Sequence, residues 1–426
     1  MTSTCHIVGA GLAGLSAAVR LQTAGRKVVV YEGAAQAGGR CRSFFDSRLQ
    51  KTIDNGNHLV LSGNRAALDY LDLIGTRGQL SGPKEPVFPF VDLKSGERWA
   101  VRPNLGPVPW WVLMRERRIP GTGLMDYIAG SKLALAGPDR SVADIIPGEG
   151  LMAERFWDPF TIAVMNAPPN ESSARLLWSV IRETFVRGGE YCIPLFTENG
   201  LGPAFIEPAI DTIQSAGGSV TLNKRLLELK RDGDRVTGLV FRDGEVPVLP
   251  DDRVVLAISP AQLATLMPEL NVPEQTGIIV NAHFVLEHPL SPVPEPPFIG
   301  VLNSATQWIF VRDDVVSITI SAAGALGLDG QSEEAFLPTL WNEVGKALNI
   351  DSETGFAAGR IVKEKRATFD QSPSAAQRRP NTQTDFTNLV LAGDVVNTGL
   401  PATIEGAIRS GELAAESTLR VRDTGP

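Results

Sequence analysis

Gly9-Ala10-Gly11-Leu12-Ala13-Gly14 is the stretch that decides the fold. It has the spacing G-x-G-x-x-G. It follows the apolar run His6–Val8 and opens Leu12–Ala24, whose apolar residues recur at helical spacing. A second apolar run, Lys27–Tyr31, ends at Glu32. Strand, glycine turn, helix and strand make a βαβ unit. Gly9 permits the tight turn, Gly11 keeps a side chain away from the helix N-terminus, and Gly14 lets the helix pack on the strand. That N-terminus offers N–H groups and partial positive charge to a pyrophosphate. The Glu32 carboxylate suits two ribose hydroxyls and would repel a phosphate there, so the unit is predicted to bind a dinucleotide.

Two more α/β stretches follow. Phe205–Ala216 has helical spacing and is stopped by Gly217-Gly218. Strand-like runs come next at Ser219–Leu222, Leu226–Arg231, Arg235–Arg242 and Arg253–Ile258. Near the end, a strand at Leu389–Ala392 and a glycine-rich turn precede a helix from Ile404 to Arg420. The intervening regions differ. Asn64–Pro194 is rich in Trp and Pro with helical apolar spacing, and Pro268–Phe369 has short β runs before a helix near Glu333–Leu348. The expected architecture is α/β. Residues 1–63, 195–267 and 370–426 form a discontinuous Rossmann-like domain, and 64–194 and 268–369 form an inserted mixed α+β substrate domain.

Composition narrows the function. A chain of 426 residues exceeds one compact core. A net charge of −8 provides no basic field for nucleic acid. Cys5, Cys41 and Cys192 are too scattered for a disulfide framework or a zinc site and fit a reducing compartment. His6, His58, His283 and His288 show no metal-ligand clustering, so no metal is expected. No secretory signal opens the chain, and no run approaches the roughly 20 apolar residues that span a bilayer.

The fingerprint alone does not separate NAD from FAD. Gly38-Gly39-Arg40, just after Glu32, allows close backbone approach and adds a cation near a pyrophosphate. Gly393-Asp394 ends the last strand, and Gly399-Leu400-Pro401-Ala402-Thr403-Ile404-Glu405-Gly406-Ala407 leads into the last helix. Asp394 suits ribityl or phosphate-adjacent contacts. The helix N-terminus at Pro401, Ala402, Thr403 and Ile404 can face the flavin edge where negative charge collects on reduction. These devices point to FAD, bound without a covalent link because no cysteine lies near Gly393–Glu405.

These motifs resemble the flavin amine oxidase and phytoene desaturase superfamily over nearly the whole chain. The resemblance implies that Leu226 meets the adenine through its backbone. Asp54-Asn55-Gly56-Asn57-His58 resembles the narrower group of hydroxysqualene dehydroxylases of hopanoid biosynthesis, as do Phe156-Trp157-Asp158-Pro159-Phe160, Asn166-Ala167-Pro168-Pro169 and Lys365-Arg366-Ala367-Thr368-Phe369. In the superfamily, the turn of Asp54, Asn55, Gly56 and Asn57 passes the flavin. What this implies is reductive dehydroxylation of a long isoprenoid alcohol. A proton makes the hydroxyl leave as water, and hydride from reduced FAD quenches the allylic cation in a dry apolar pocket walled by Trp and Phe. His58 is the candidate acid, because a histidine titrates near physiological pH; its other reading is flavin packing or strand capping. Asp54 either transfers protons or holds N–H groups of its own turn. His6 reads as core, while His283 and His288 flank a β run without visible partners. Tyr191 and Glu183 are donors of a suitable type but have no special claim.

Three alternatives remain on sequence grounds: a carotenoid-type desaturase, an amine oxidase, and a non-enzymatic prenyl-lipid escort. Only one fingerprint is present, so the electron donor is external and not named by the sequence. Trp110-Trp111-Val112-Leu113-Met114, with Trp99, Arg98, Arg102, Arg115, Arg117 and Arg118 nearby, reads either as an interfacial anchor on anionic lipid or as a buried tryptophan pair. A lipophilic substrate favours the anchor. The expected location is cytoplasmic, peripheral on the inner face of the cytoplasmic membrane.

Overall fold

The computed structural model describes residues 3–350 and 354–420. Residues 1–2, 351–353 and 421–426, which belong to the segments expected above, lie outside the described residues. The central layer is a five-stranded parallel sheet in the order Ser219–Thr221, Lys27–Tyr31, Thr4–Val8, Arg253–Leu256, Leu389–Leu391. Its inner strands are buried on both faces, as parallel strands usually are, while Ser219–Thr221 at the edge is largely exposed. Cys5 and Ile7 point into one core with the helices Leu12–Thr23 and Ile404–Arg420. Val8, Val254 and Leu256 point into a second core under the antiparallel meander Leu226–Asp232, Arg235–Phe241 and Gly244–Pro247. The two helices cross so closely that a Cβ on Gly411 would lie 2.2 Å from the Ala13 carbonyl oxygen.

The second layer is a seven-stranded sheet in the order Ala358–Thr368, Gly277–Val285, Val315–Ile320, Trp308–Arg312, Phe298–Leu302, Phe88–Asp92, Arg98–Val101. Side chains alternate across it. Val280, Ala282, Phe284, Val316, Ile318 and Ile320 pack under the helix Glu333–Leu348. Asn281, His283, Ser317 and Thr319 therefore occupy the other face, with Asn281 opposite Thr319 and His283 opposite Ser317.

The structure corrects three expectations. The strands Phe88–Asp92 and Arg98–Val101 come from a stretch read as helical, so both insertions feed one sheet. The helix Arg65–Leu73 packs through Ala66, Ala67, Leu68, Tyr70 and Leu71 into the first core, so a substrate insertion beginning at 64 starts too early. A boundary after 194 cuts the strand Pro194–Thr197, which pairs with Val60–Leu61 and with Leu80–Ser81.

Candidate active site

The glycine turn forms an open cradle. Gly9 has φ +106°, and a Cβ there would meet the Ala257 carbonyl oxygen at 2.2 Å. Gly11 is extended, with no atom within 4 Å of an added Cβ, and no side chain caps the helix it starts. An uncapped helix N-terminus facing open space suits a pyrophosphate. The N–H of Gly38 (φ +103°) donates to the Ala10 carbonyl at 2.8 Å, which seats Gly38-Gly39-Arg40 against the turn. Glu32 accepts from the N–H groups of Ala10 and Ala34, each at 2.8 Å. The carboxylate assigned to ribose thus also braces the turn, and each oxygen keeps a lone pair for a hydroxyl. Leu226 is buried and starts its strand; its carbonyl accepts from Gln262 Nε2 at 3.1 Å.

Arg40 and Asp394, 354 residues apart, form a two-pronged ion pair at 2.8 and 2.7 Å. The arginine expected near a phosphate is therefore first committed to the aspartate expected near the ribityl chain. Burial pushes the Asp394 carboxyl up, but Arg40 beside it prevails and holds its pKa below the usual range. Arg379, absent from the sequence reading, donates to the carbonyls of Asp394, Val395, Val396 and Leu400 at 2.9, 3.3, 2.6 and 2.7 Å. Burial lowers its pKa to about 10, with Asp394 opposing the fall, and its guanidinium lies 4.8 Å from the centre of the Phe369 ring. It pins the 394–400 loop that leads into the last helix. At that helix, Ala402 N–H donates to Gln371 Oε1 at 2.8 Å, and the Thr403 hydroxyl caps Gly406 N–H at 3.0 Å.

Asp54 and His58 share a cavity of about 350 Å³ with Asn57, Glu198, Arg312 and Ser317, and with Phe196, Phe298 and Phe310. The expectation that Asp54 holds its own turn is overturned. Its carboxylate accepts from Leu201 N–H at 2.9 Å and from the Ser43 hydroxyl at 2.5 Å, and it pairs with Arg312 at 3.1 Å. Ser43 Oγ in turn accepts from Gly202 N–H at 2.7 Å, so both side chains cap the helical turn that begins at Leu201. His58 is an exposed side chain on the rim of the cavity, with protein crowded around it. That surrounding pulls its pKa below the ordinary value, with Asp54 opposing the fall and Arg40 adding to it. The pull is toward the neutral imidazole, against the expectation of an ordinary histidine holding its proton. The turn itself is fastened to the seven-stranded sheet. Asn281 Nδ2 donates to the Asn55 carbonyl at 3.1 Å, and Asn57 Nδ2 to Thr319 Oγ1 at 3.1 Å.

The remaining candidates sort by packing. His6 is buried between Tyr31 and Asp252. His283 sits inside its strand rather than flanking it and bonds to the Ser317 hydroxyl at 2.8 Å. Glu183 is taken by Arg409, and Tyr191 lies beneath Arg187. The cavity is more polar than the dry pocket expected: Asp54, His58, Glu198, Arg312 and Ser317 line it, while Trp99, Trp111, Trp157 and Trp308 pack into a neighbouring core. Among the described residues no cluster of His, Cys, Asp and Glu could hold a metal, and no helix is long and apolar enough to cross a membrane.

The tryptophan pair splits. Trp111 is buried edge-on against Tyr127, and Trp99 stacks on Phe90, whereas Trp110 is exposed beside Arg117. Arg98 is exposed but engaged, donating to the carbonyl of Ala347 at 2.6 Å. Along the chain on either side of Trp110, exposed apolar side chains recur at Val108, Leu113, Met125 and Ile128, and Leu135 is 90% exposed.

Residues 12–419 match the family model described as flavin containing amine oxidoreductase. The chain is 43% identical over its whole length to the full-length hydroxysqualene dehydroxylase of Sinorhizobium fredii. It is 40% identical, over 98% of its length and 99% of the relative's, to that of Zymomonas mobilis. A crystal structure of a putative protoporphyrinogen oxidase from Exiguobacterium has a TM-score of 0.70 at 16% identity, covering 99% of both chains, which bears on the fold alone.

Proposed function

The chain belongs to the family of flavin-containing amine oxidoreductases, and we propose that it is an FAD-dependent oxidoreductase that reductively removes the hydroxyl of hydroxysqualene to give squalene. The carrying observation is the cavity, where an imidazole, a carboxylate–guanidinium pair and a serine hydroxyl share walls with three phenylalanines. The change requires a proton on the leaving oxygen and a hydride on carbon, so that R–OH, H⁺ and hydride become R–H and water. The glycine turn of residues 9–14, Glu32 and the Arg40–Asp394 pair would hold the flavin, which in its reduced form would supply the hydride. The chain's own residues bind, orient and protonate. We assign the proton to His58, which carries it only below its lowered pKa, so turnover rises as the pH falls toward that value. Asp54 favours the charged imidazole by its field, while its lone pairs are committed to Arg312, Ser43 and Leu201. Phe196, Phe298 and Phe310 keep water from the carbon that becomes positive and offer it π electrons.

FAD is held non-covalently in this reading. Burial pushes the Cys41 thiol, which neighbours Arg40, up to about 12, so no thiolate is available to bond the ring. The exposed apolar run around Trp110, flanked by Arg102, Arg115 and Arg117, is the surface we assign to an anionic bilayer from which a triterpene alcohol enters. That reading puts the protein on the inner face of the cytoplasmic membrane, in hopanoid biosynthesis. The test is anaerobic. Hydroxysqualene should reoxidise the photoreduced protein and yield squalene. Bleaching of the oxidised protein by phytoene or by simple amines, with hydroxysqualene inert, would replace this reading by a desaturase or an amine oxidase, and colourless protein would favour a lipid escort.

A further inference from the structure

We infer that the Ser317 hydroxyl is the donor that recognises the substrate's oxygen in the cavity, and that His283 behind it sets the direction of that bond. The inference rests on the dehydroxylase reading. Two polar pairs stand side by side on the cavity face of the seven-stranded sheet. In the first, each polar atom has a partner: Thr319 Oγ1 donates to Asn281 Oδ1 at 2.8 Å, and Asn281 Nδ2 to the Asn55 carbonyl at 3.1 Å. That pair holds the turn of residues 55–57.

The second pair is incomplete. Ser317 Oγ lies 2.8 Å from His283 Nδ1, and His283 Nε2 has no partner among the described residues although the side chain is 1% exposed. Burial holds the imidazole neutral, with a pKa of about 4, so it has a single N–H to place. Were that hydrogen on Nε2, a donor would be stranded in the interior, the rarer and costlier kind of orphan. With the hydrogen on Nδ1, the imidazole donates to Ser317 Oγ and leaves the hydroxyl hydrogen unspent. Ser317 borders the cavity, and the cavity is where that hydrogen can go. An alcohol oxygen accepts it, whereas a hydrocarbon would leave it unsatisfied. The site therefore discriminates between an oxygenated isoprenoid and its hydrocarbon counterpart before any proton or hydride moves.

The experiment compares the affinity of the oxidised holoenzyme for hydroxysqualene and for squalene, read by the flavin spectrum. Ser317→Ala should weaken hydroxysqualene binding about five- to tenfold, the scale of one neutral hydrogen bond, and leave squalene binding unchanged. Ser317→Thr, which keeps the hydroxyl, should restore the preference. His283→Asn, whose amide can donate from near the Nδ1 position, should keep most of it, while His283→Leu should lose it at full flavin content. Equal weakening for both ligands in Ser317→Ala, or no weakening for the alcohol, overturns the inference while wild-type reoxidation by hydroxysqualene still stands. A wild type that neither binds nor is reoxidised by hydroxysqualene removes the dehydroxylase reading, and this inference with it.

Discussion

Gly11→Val should give a protein that folds normally but does not hold flavin, and the contrast with Gly14→Ala makes this a test of the cradle. Gly11 has φ −78° and ψ 176°, a conformation open to any residue, and an added Cβ would touch nothing within 4 Å. The folded chain thus has no steric reason to resist the change, and a less flexible unfolded state offsets part of any loss at about 0.4–1 kcal/mol. The added methyl groups occupy the space in front of the helix N-terminus. If a pyrophosphate belongs there, crowding it costs about 1–3 kcal/mol, or roughly 5- to 150-fold in affinity. Gly14 is the reverse case: a Cβ there would lie 1.9 Å from the Gly9 carbonyl oxygen and 3.2 Å from Ala257 Cβ. Backbone must move, so Gly14→Ala should lower the melting temperature of the flavin-free protein itself. The assay is thermal unfolding of deflavinated protein alongside an FAD titration followed by flavin fluorescence. Wild-type affinity in Gly11→Val, or equal destabilisation of both flavin-free variants, would refute the assignment of this turn to the pyrophosphate.

Arg379→Met strands the carbonyls of Asp394, Val395, Val396 and Leu400. It should cost about 3 kcal/mol or more and weaken FAD retention, measured by melting temperature and by the flavin-to-protein absorbance ratio; a variant that keeps both would show the loop to be held by other means. His6 and His283, both buried, lie below the ordinary 6.5, with His283 at about 4. Depressed base pKa values mean that the unfolded chain binds more protons between these limits. Stability should therefore be full above pH 6.5 and fall toward pH 4, by about 3 kcal/mol from His283 alone, and denaturant midpoints that do not drop across that window would contradict this. Co-sedimentation with anionic vesicles should weaken with salt and fall about tenfold or more in Met125→Asp/Leu135→Asp; equal recovery in the supernatant with and without vesicles would end the membrane assignment.

What could be read from the sequence was what is local in it. The βαβ unit that begins at Thr4 meets its remaining requirements, turn, helix start, packing glycine and terminal carboxylate, between Gly9 and Glu32, so periodicity and spacing sufficed. The helices Leu12–Thr23 and Ile404–Arg420 were legible for the same reason. The active-site chemistry is non-local. Asp54 reads alone as a turn residue, because the groups that commit it, Leu201 N–H and the Arg312 guanidinium, arrive from 147 and 258 residues away. Taken singly, Ser317 carries no functional signal: it is a small polar residue in a largely apolar strand, and only the register that sets it opposite His283 makes it a donor. The signal that was present and unused is alternation. Polar residues at 281 and 283 and at 317 and 319, two apart within otherwise apolar runs, mark strands with a second face to satisfy. Trp110 and Trp111 make the converse point, since adjacent identical residues took opposite fates, one exposed and one buried against Tyr127. Composition cannot separate them, because the difference is which side of a short turn meets the helical core. The pKa of His58 belongs to the same class. A sequence supplies an ordinary imidazole; the surrounding protein and Arg40 pull its pKa down and Asp54 opposes them, a balance that no local pattern of helix and strand encodes.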